Sequence, residues 1–310
     1  MKTGIIAAVL LTLVGCNGGG GGGSSSGETP TDGGGTGGSI PDPVAQCPTG
    51  YIKVPKGATG LVLEDFCVMK YEAKNDGLNN ISVTPSHSPW ASISASSAKS
   101  VCKAIGTDYD LISNDEWMVI ALNIESNVQN WTGGTLYGGS LYKGHSDFSP
   151  SAAQAISDTT NYYNNTGSTS GVQRRVHVLD NSEIIWDFSG NLREIVDYGT
   201  ASTYTSPPYC GTNLPYGYYR QLSVVASQCS NWSDTTRFSP ANLITNNTSL
   251  NYGAFYADNL PNTVLLRGGT YPNPSAYTQV GVFDIQLMGS NTTSAPGDIY
   301  SGFRCVFRGL

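Results

Sequence analysis

The sequence predicts an α+β head with two helices, short antiparallel strands and long loops. Three observations carry that prediction. Two segments in the first half place apolar residues at helical spacing. Several later segments are short runs rich in β-branched and aromatic residues. Long stretches rich in Asn, Ser, Thr, Gly and Tyr lie between them.

The chain opens with a targeting segment at 1–15. Lys2 supplies a positive start, and Ile5 to Val14 is an apolar run too short to span a bilayer. It ends in Leu13-Val14-Gly15-Cys16, which resembles a bacterial lipobox and makes Cys16 the expected lipidated N-terminus. A flexible tether follows at 16–46. Residues 17–39 hold 12 Gly and 4 Ser in 23 positions, so they bury almost no apolar surface. The 30 residues from Asn17 to Gln46 reach roughly 30 Å root-mean-square as a coil. They carry three acids and no base, so membrane attachment is expected through the lipid alone. Asn17 after the lipid cysteine favours the outer membrane and cell surface of a bacterial envelope.

The head is residues 47–310, long enough for a substantial core. In the head, Ala98, Val101, Cys102 and Ile105 share one helical face after Ser94, with Gly106 as the expected cap. Ser113-Asn114-Asp115-Glu116 reads as a capping box, followed by a buried stripe of Trp117, Ile120, Ala121 and Ile124. Strands are expected at 182–188, 195–198, 263–266, 282–287 and 303–307. On the fourth of these, Val282, Phe283, Ile285 and Leu287 anchor the core while Asp284, Gln286 and Met288 face outward.

Composition narrows the function. Charged residues are only 13% of the chain, against roughly 25% in ordinary domains. The formal net charge of −7 excludes nucleic acid, which needs clustered cations to displace counterions. Three histidines make a His-rich metal enzyme improbable, so His87, His145 and His177 read as surface or hydrogen-bonded residues. Glu183 and Asp187, four apart on a strand, could pair as acid and base, but nothing beside them specifies a substrate.

Apart from Cys16, six cysteines remain, an even number that reads as disulfides in an exported chain. Six allow 15 pairings. Sequence neighbours suggest Cys47–Cys67 and Cys210–Cys229, which leaves Cys102–Cys305.

Four segments carry a family resemblance. Asp110-Leu111-Ile112-Ser113-Asn114-Asp115-Glu116-Trp117, Ile185-Trp186-Asp187-Phe188-Ser189-Gly190-Asn191-Leu192-Arg193-Glu194, Leu266-Arg267-Gly268-Gly269-Thr270-Tyr271 and Gly302-Phe303-Arg304-Cys305 stand in order across the head. They resemble the "RLPTEAEWE", "LYDMSGNVWEW", "RGGSW" and "GFRC" motifs of the formylglycine-generating-enzyme-like (sulfatase-modifying factor) domain. That resemblance implies a C-type-lectin-like fold and supports Cys102–Cys305 independently. It does not carry the oxidising activity over. The copper-binding cysteines of the oxidising members correspond to about Asn273 and Thr278, and copper needs soft thiolates. Calcium is the one cofactor the resemblance suggests, with Asn191, Glu194 and Asp197 as candidate ligands. The same Gly-Asn turn could simply shape a core loop.

The run from Arg267 to Arg304 also resembles the variable region of proteins diversified by retroelements. There fixed positions alternate with types reached by mutating Asn codons. Tyr271, Asn273, Tyr277, Asp284, Asn291, Asp298 and Tyr300 fit that pattern. Tyr with small polar residues makes an adaptable binding surface. The expectation is therefore a non-catalytic lipoprotein that meets a surface ligand, protein or glycan, through 271–301. A copper-independent enzyme of the same family and a structural envelope lipoprotein are the alternatives.

Overall fold

The computed structural model describes residues 46–146, 152–153, 155, 174–197, 220–221, 238, 240–241, 250–257, 263–271, 280–289 and 299–310. The signal segment, Cys16, the tether up to residue 45, Cys210, Cys229, Asn273, Tyr277, Asn291 and Asp298 lie outside the described residues.

The architecture is α+β, with two α-helices and several small sheets among the described residues. In chain order the elements are β1 (Tyr51–Val54), β2 (Phe66–Met69), β3 (Lys74–Asn75), β4 (Ile81–Ser82), α1 (Ala95–Lys103), β5 (Tyr109–Leu111) and α2 (Asn114–Ser126). They continue with β6 (Val176–Val178), β7 (Ile184–Trp186), β8 (Arg193–Ile195), β9 (Arg220–Gln221), β10 (Ala254–Ala257), β11 (Thr263–Arg267), β12 (Ile285–Gly289), β13 (Ser301–Phe303) and β14 (Cys305–Phe307).

The first sheet has the order β1-β2-β14-β5 and is antiparallel throughout. The second has the order β13-β8-β11-β12-β10-β9. It is mixed, because β13 runs parallel to β8 and β10 parallel to β12. The all-antiparallel expectation is corrected at those two pairs, whose partners are joined by long connections rather than hairpins. The pairs β3–β4 and β6–β7 stand as small ladders of their own.

Local chemistry explains both helices. Ser94 caps α1 by accepting the Ser97 amide, and Ala98 and Cys102 are fully buried. The helix stops at Lys103 and caps at Ala104, short of the expected Gly106, and Ile105 is exposed. In α2 the capping box forms as read: Glu116 N–H donates to Ser113 Oγ, and Ser113 N–H donates to Glu116 Oε2. The stripe of Trp117, Ile120, Ala121 and Ile124 is buried, but so are Met118 and Val119, so α2 is enclosed almost all round.

The larger core gathers α2 residues with Phe188, Val196, Leu265, Phe283, Ile285 and Leu287. Trp117 stacks on Phe188 at 3.8 Å between centroids and donates its indole N–H to Val282 O at 2.8 Å. The second cluster sets Ala98 and Cys102 of α1 against Ile195, Leu266, Phe303 and Cys305. Alternating residues of β11 divide between the two clusters, Leu265 in one and Leu266 in the other. The six-stranded sheet is therefore covered on both faces.

Two disulfides tie these layers, Cys47–Cys67 and Cys102–Cys305, both as expected from the sequence. The run expected as one strand at 303–307 is divided. The chain leaves the six-stranded sheet after Phe303 and enters the four-stranded sheet at Cys305, switching at Arg304.

Candidate functional site

Tyr271 and Tyr300, two residues expected to meet a ligand, lie at one end of the six-stranded sheet. Arg267, the last residue of β11, pairs with Ile285, the first of β12. Arg267 also pairs with Glu194, beside the Arg193↔Ser301 start of β13. Tyr271 and Tyr300, just beyond these strands, therefore meet with ring centroids 6.1 Å apart. On its other side Tyr271 stacks flat on His145, at 5.0 Å and 8°. Tyr300 is 37% exposed and Ile299 49%, whereas Tyr271 is buried.

Behind this aromatic group runs a buried polar chain. Arg193 donates to Ser301 Oγ at 2.8 Å and to Gln286 Oε1 at 3.1 Å. Gln286 Nε2 donates to Asp284 Oδ2 at 2.8 Å, and Ala254 N–H donates to Asp284 Oδ1 at 3.0 Å. Burial pushes the Asp284 carboxyl up to about 7, although its hydrogen bonds and the nearby Arg267 and Arg193 pull it down.

This corrects the outward orientation expected for Asp284, Gln286 and Met288. Asp284 and Gln286 are buried, and Met288 is half-buried against the second cluster. The alternation itself is right, since Ile285 and Leu287 enter the larger core. The opposite face is not a free surface: Met288 packs against the cluster that holds Ala98 and Cys102 of α1, and Gln286 is hydrogen-bonded to Arg193. Tyr271, expected in the binding surface, is likewise a supporting residue. Of the expected ligand residues that are described, Tyr300 alone is exposed.

The three calcium candidates are drawn to different partners. Asn191 Nδ2 donates to Glu72 Oε2 at 2.5 Å. Glu194 takes a bidentate grip from Arg304, with Nε to Oε2 at 2.6 Å and Nη2 to Oε1. Asp197 pairs with Lys99 at 2.5 Å. Among the described residues no group of three or more His, Cys, Asp or Glu is placed to hold a metal ion. A calcium ion asks for six to eight converging oxygens, and these three side chains do not fit it. Asn191 instead shapes the turn, with φ at +60° and its carbonyl accepting the Tyr271 N–H. Gly190 before it has φ at +77°, and a Cβ there would sit 2.4 Å from His145 O, so only glycine fits.

Asn191 and Glu194 belong to a buried ionic cluster. Arg175 holds Asp187 in a bidentate pair, both bonds at 2.6 Å. Arg304 also donates to the carbonyls of Met69, Trp186 and Asp187. Glu72 accepts from Leu192 N–H at 3.0 Å as well as from Asn191. Burial, reinforced by Asp187, raises the Glu72 carboxyl. Lys74 is fully buried beside it, and burial lowers its ammonium. Asp187 is thus committed to Arg175, which removes it from any acid–base pair with Glu183.

The histidines take structural places. His177 is buried with Nε2 2.8 Å from Tyr142 O, and burial pushes it down to about 4. His145 is buried against Tyr271, and His87 is exposed beside Thr84. A small recess of about 220 Å³ lies between α1 and the sheet, with Lys99 and Asp197 on its wall over Leu111, Val196 and Val264.

Sequence reasoning missed Glu72, Lys74, Arg175 and His145 as partners of the turn at 187–194. Their one signal is negative: charged residues inside otherwise apolar segments, such as Glu72 and Lys74 around Ala73. No protein-family model and no curated protein matches the chain significantly.

Proposed function

We propose that this chain is a lipid-anchored binding protein of a bacterial cell envelope, its head carrying a C-type-lectin-like, formylglycine-generating-enzyme-like fold. Cys16 is the anchor, 17–46 the leash, and the ligand is met at the sheet end where β11 runs out at Arg267 and β13 begins at Ser301, beside Tyr271 and Tyr300. The observation that carries this reading is the meeting of Tyr271 and Tyr300 at 6.1 Å. Residues twenty-nine apart in sequence share one sheet end, one buried as a support and one exposed. A rigid frame under exposed aromatic and polar residues is what a paratope needs. The charges behind it, Arg193 and Asp284, are held by hydrogen bonds to Ser301, Gln286 and the Ala254 amide, which suits support rather than turnover.

The test uses the lipidated chain on vesicles, probed with arrays of envelope glycans and surface peptides. Retention of a defined class that is lost in Tyr300→Ala and Ile299→Ser, with an unchanged near-UV spectrum, supports the reading. Retention unaffected by both changes, or none at all, sinks it. Retroelement diversification makes its own demand: substitutions among clones of one population must concentrate at codons 271–301.

A further inference from the structure

The hydrogen bonds behind Tyr300 run toward one carboxylate. The Arg193 guanidinium can only donate, so Gln286 turns its oxygen to Arg193 Nη1, at 3.1 Å. The amide nitrogen of Gln286 is left to donate to Asp284 Oδ2, at 2.8 Å. The Ala254 N–H, also only a donor, takes Asp284 Oδ1 at 3.0 Å. Both carboxyl oxygens therefore accept, which matches the ionised acid. The other end of the chain grips the start of β13. Arg193 Nε donates to Ser301 Oγ at 2.8 Å, and the Arg193 backbone N–H donates to Tyr300 O at 3.1 Å. Burial opposes the anion. Asp284 is fully buried, with the backbone of Gly253, just before β10, packed directly against it. Withdrawing a carboxylate from water favours its protonated form. Charge reaches Asp284 from Arg267 of β11 and Arg193 of β8, and both favour the anion. The balance leaves the group titrating at about 7.

We propose that Asp284 is a proton switch for the ligand surface at Tyr300, an inference that rests on Tyr300 being the ligand contact. Ionised, the carboxylate holds Gln286, and Gln286 holds Arg193 against Ser301 and the Tyr300 carbonyl. Protonation removes the charge at which Gln286 and the Ala254 N–H are aimed. A carboxyl O–H directed at Gln286 meets an N–H, donor against donor. If the amide turns to accept that O–H, its nitrogen faces the Arg193 guanidinium, and the same conflict moves one step along the chain. Arg193 then loses its acceptor in Gln286, and the edge at Tyr300 and Ser301 loosens. The surface is expected to hold ligand above neutral pH and release it in acid. For one proton, affinity falls by at most about tenfold per pH unit below the midpoint.

NMR of the full chain reads the switch with no ligand present, so its result is separate from that of the Tyr300→Ala retention test. The Asp284 carboxyl carbon, the Arg193 Nε–H and the Arg193, Tyr300 and Ser301 amides are followed from about pH 5 to 9. The expected result is one shared midpoint, with the Tyr300 and Ser301 signals broadening on the acid side. In Gln286→Met, Asp284 is expected to go on titrating while Tyr300 and Ser301 stop following it. In Asp284→Asn, Tyr300 and Ser301 are expected to show no midpoint in this range. An Asp284 that does not titrate here, or that titrates while Arg193 and Tyr300 stay still, overturns the proposal. So does a Tyr300 response that persists in Asp284→Asn, which assigns it to His145, stacked on Tyr271 at the same sheet end. If either variant fails to form Cys102–Cys305, the unchanged chain still decides: separate midpoints for Asp284 and Tyr300 overturn the switch.

Discussion

Arg304 shows how much one residue can hold. Its guanidinium is fully buried, gripped by Glu194 and donating to three carbonyls. Glu194→Gln leaves that cation without its counter-charge. The expected loss is about 3–5 kcal/mol, read by chemical denaturation. Replacing both residues by apolar ones of similar volume is expected to cost less than the single change. Asp284 gives a pH signature. Its carboxyl is raised from 3.8 to about 7 by burial, so the folded chain holds the proton more tightly than the unfolded one. Stability from this group therefore falls as pH rises across that window and is flat above it. His177, pushed from 6.5 down to about 4 by burial, acts in the opposite sense, adding stability as pH rises between those values. Unfolding curves of the chain and of Asp284→Asn across pH 4 to 8 separate the two: the difference between them is expected to carry the falling slope alone.

Elements differ in how legible they were. The α2 start was readable because a capping box is local: Ser113 and Glu116 satisfy each other three residues apart. Ser113→Ala is expected to cost about 1 kcal/mol in thermal or urea unfolding. Glu116→Ala is expected to cost more, since Glu116 also accepts from Arg308 at 2.7 and 3.0 Å. The extent of burial around α2 was not readable, because Met118 and Val119 are covered by elements remote in sequence. β1 and β2 escaped the sequence reading for a related reason. They are four residues each; β1 pairs only with β2, and β2 is fixed in turn by β14 more than two hundred residues away. The outward face of β12 was misjudged because a period of two tells which residues share a face, not whether another layer covers it.

At the scale of the molecule, the most legible feature was covalent. Cysteine parity and neighbourhood pointed to Cys47–Cys67 and Cys102–Cys305, and both form. The second closes a separation of 203 residues against 20 for the first. In the loop-entropy account it is worth roughly 4–5 kcal/mol, more than the shorter one. Cys102→Ala with Cys305→Ala is expected to lower the urea midpoint further than Cys47→Ala with Cys67→Ala. The candidate site was legible only at Tyr300. Its supports, His145 and the Arg193–Gln286–Asp284 chain, come from segments about 40 to 150 residues apart, a distance at which pattern carries no information.

The crossing at Arg304 has a consequence for the order of events during synthesis. β14 lies between β2 and β5, and β13 forms the edge beside β8. A nascent chain lacking residues 301–307 has no strand to join β2 to β5, no Arg304 to pair with Glu194, and no Cys305 for Cys102. The four-stranded sheet is split without these seven residues, and the six-stranded sheet lacks its edge. Completion of the head is therefore expected to be slow, because β14 must find β2 across more than two hundred residues of chain.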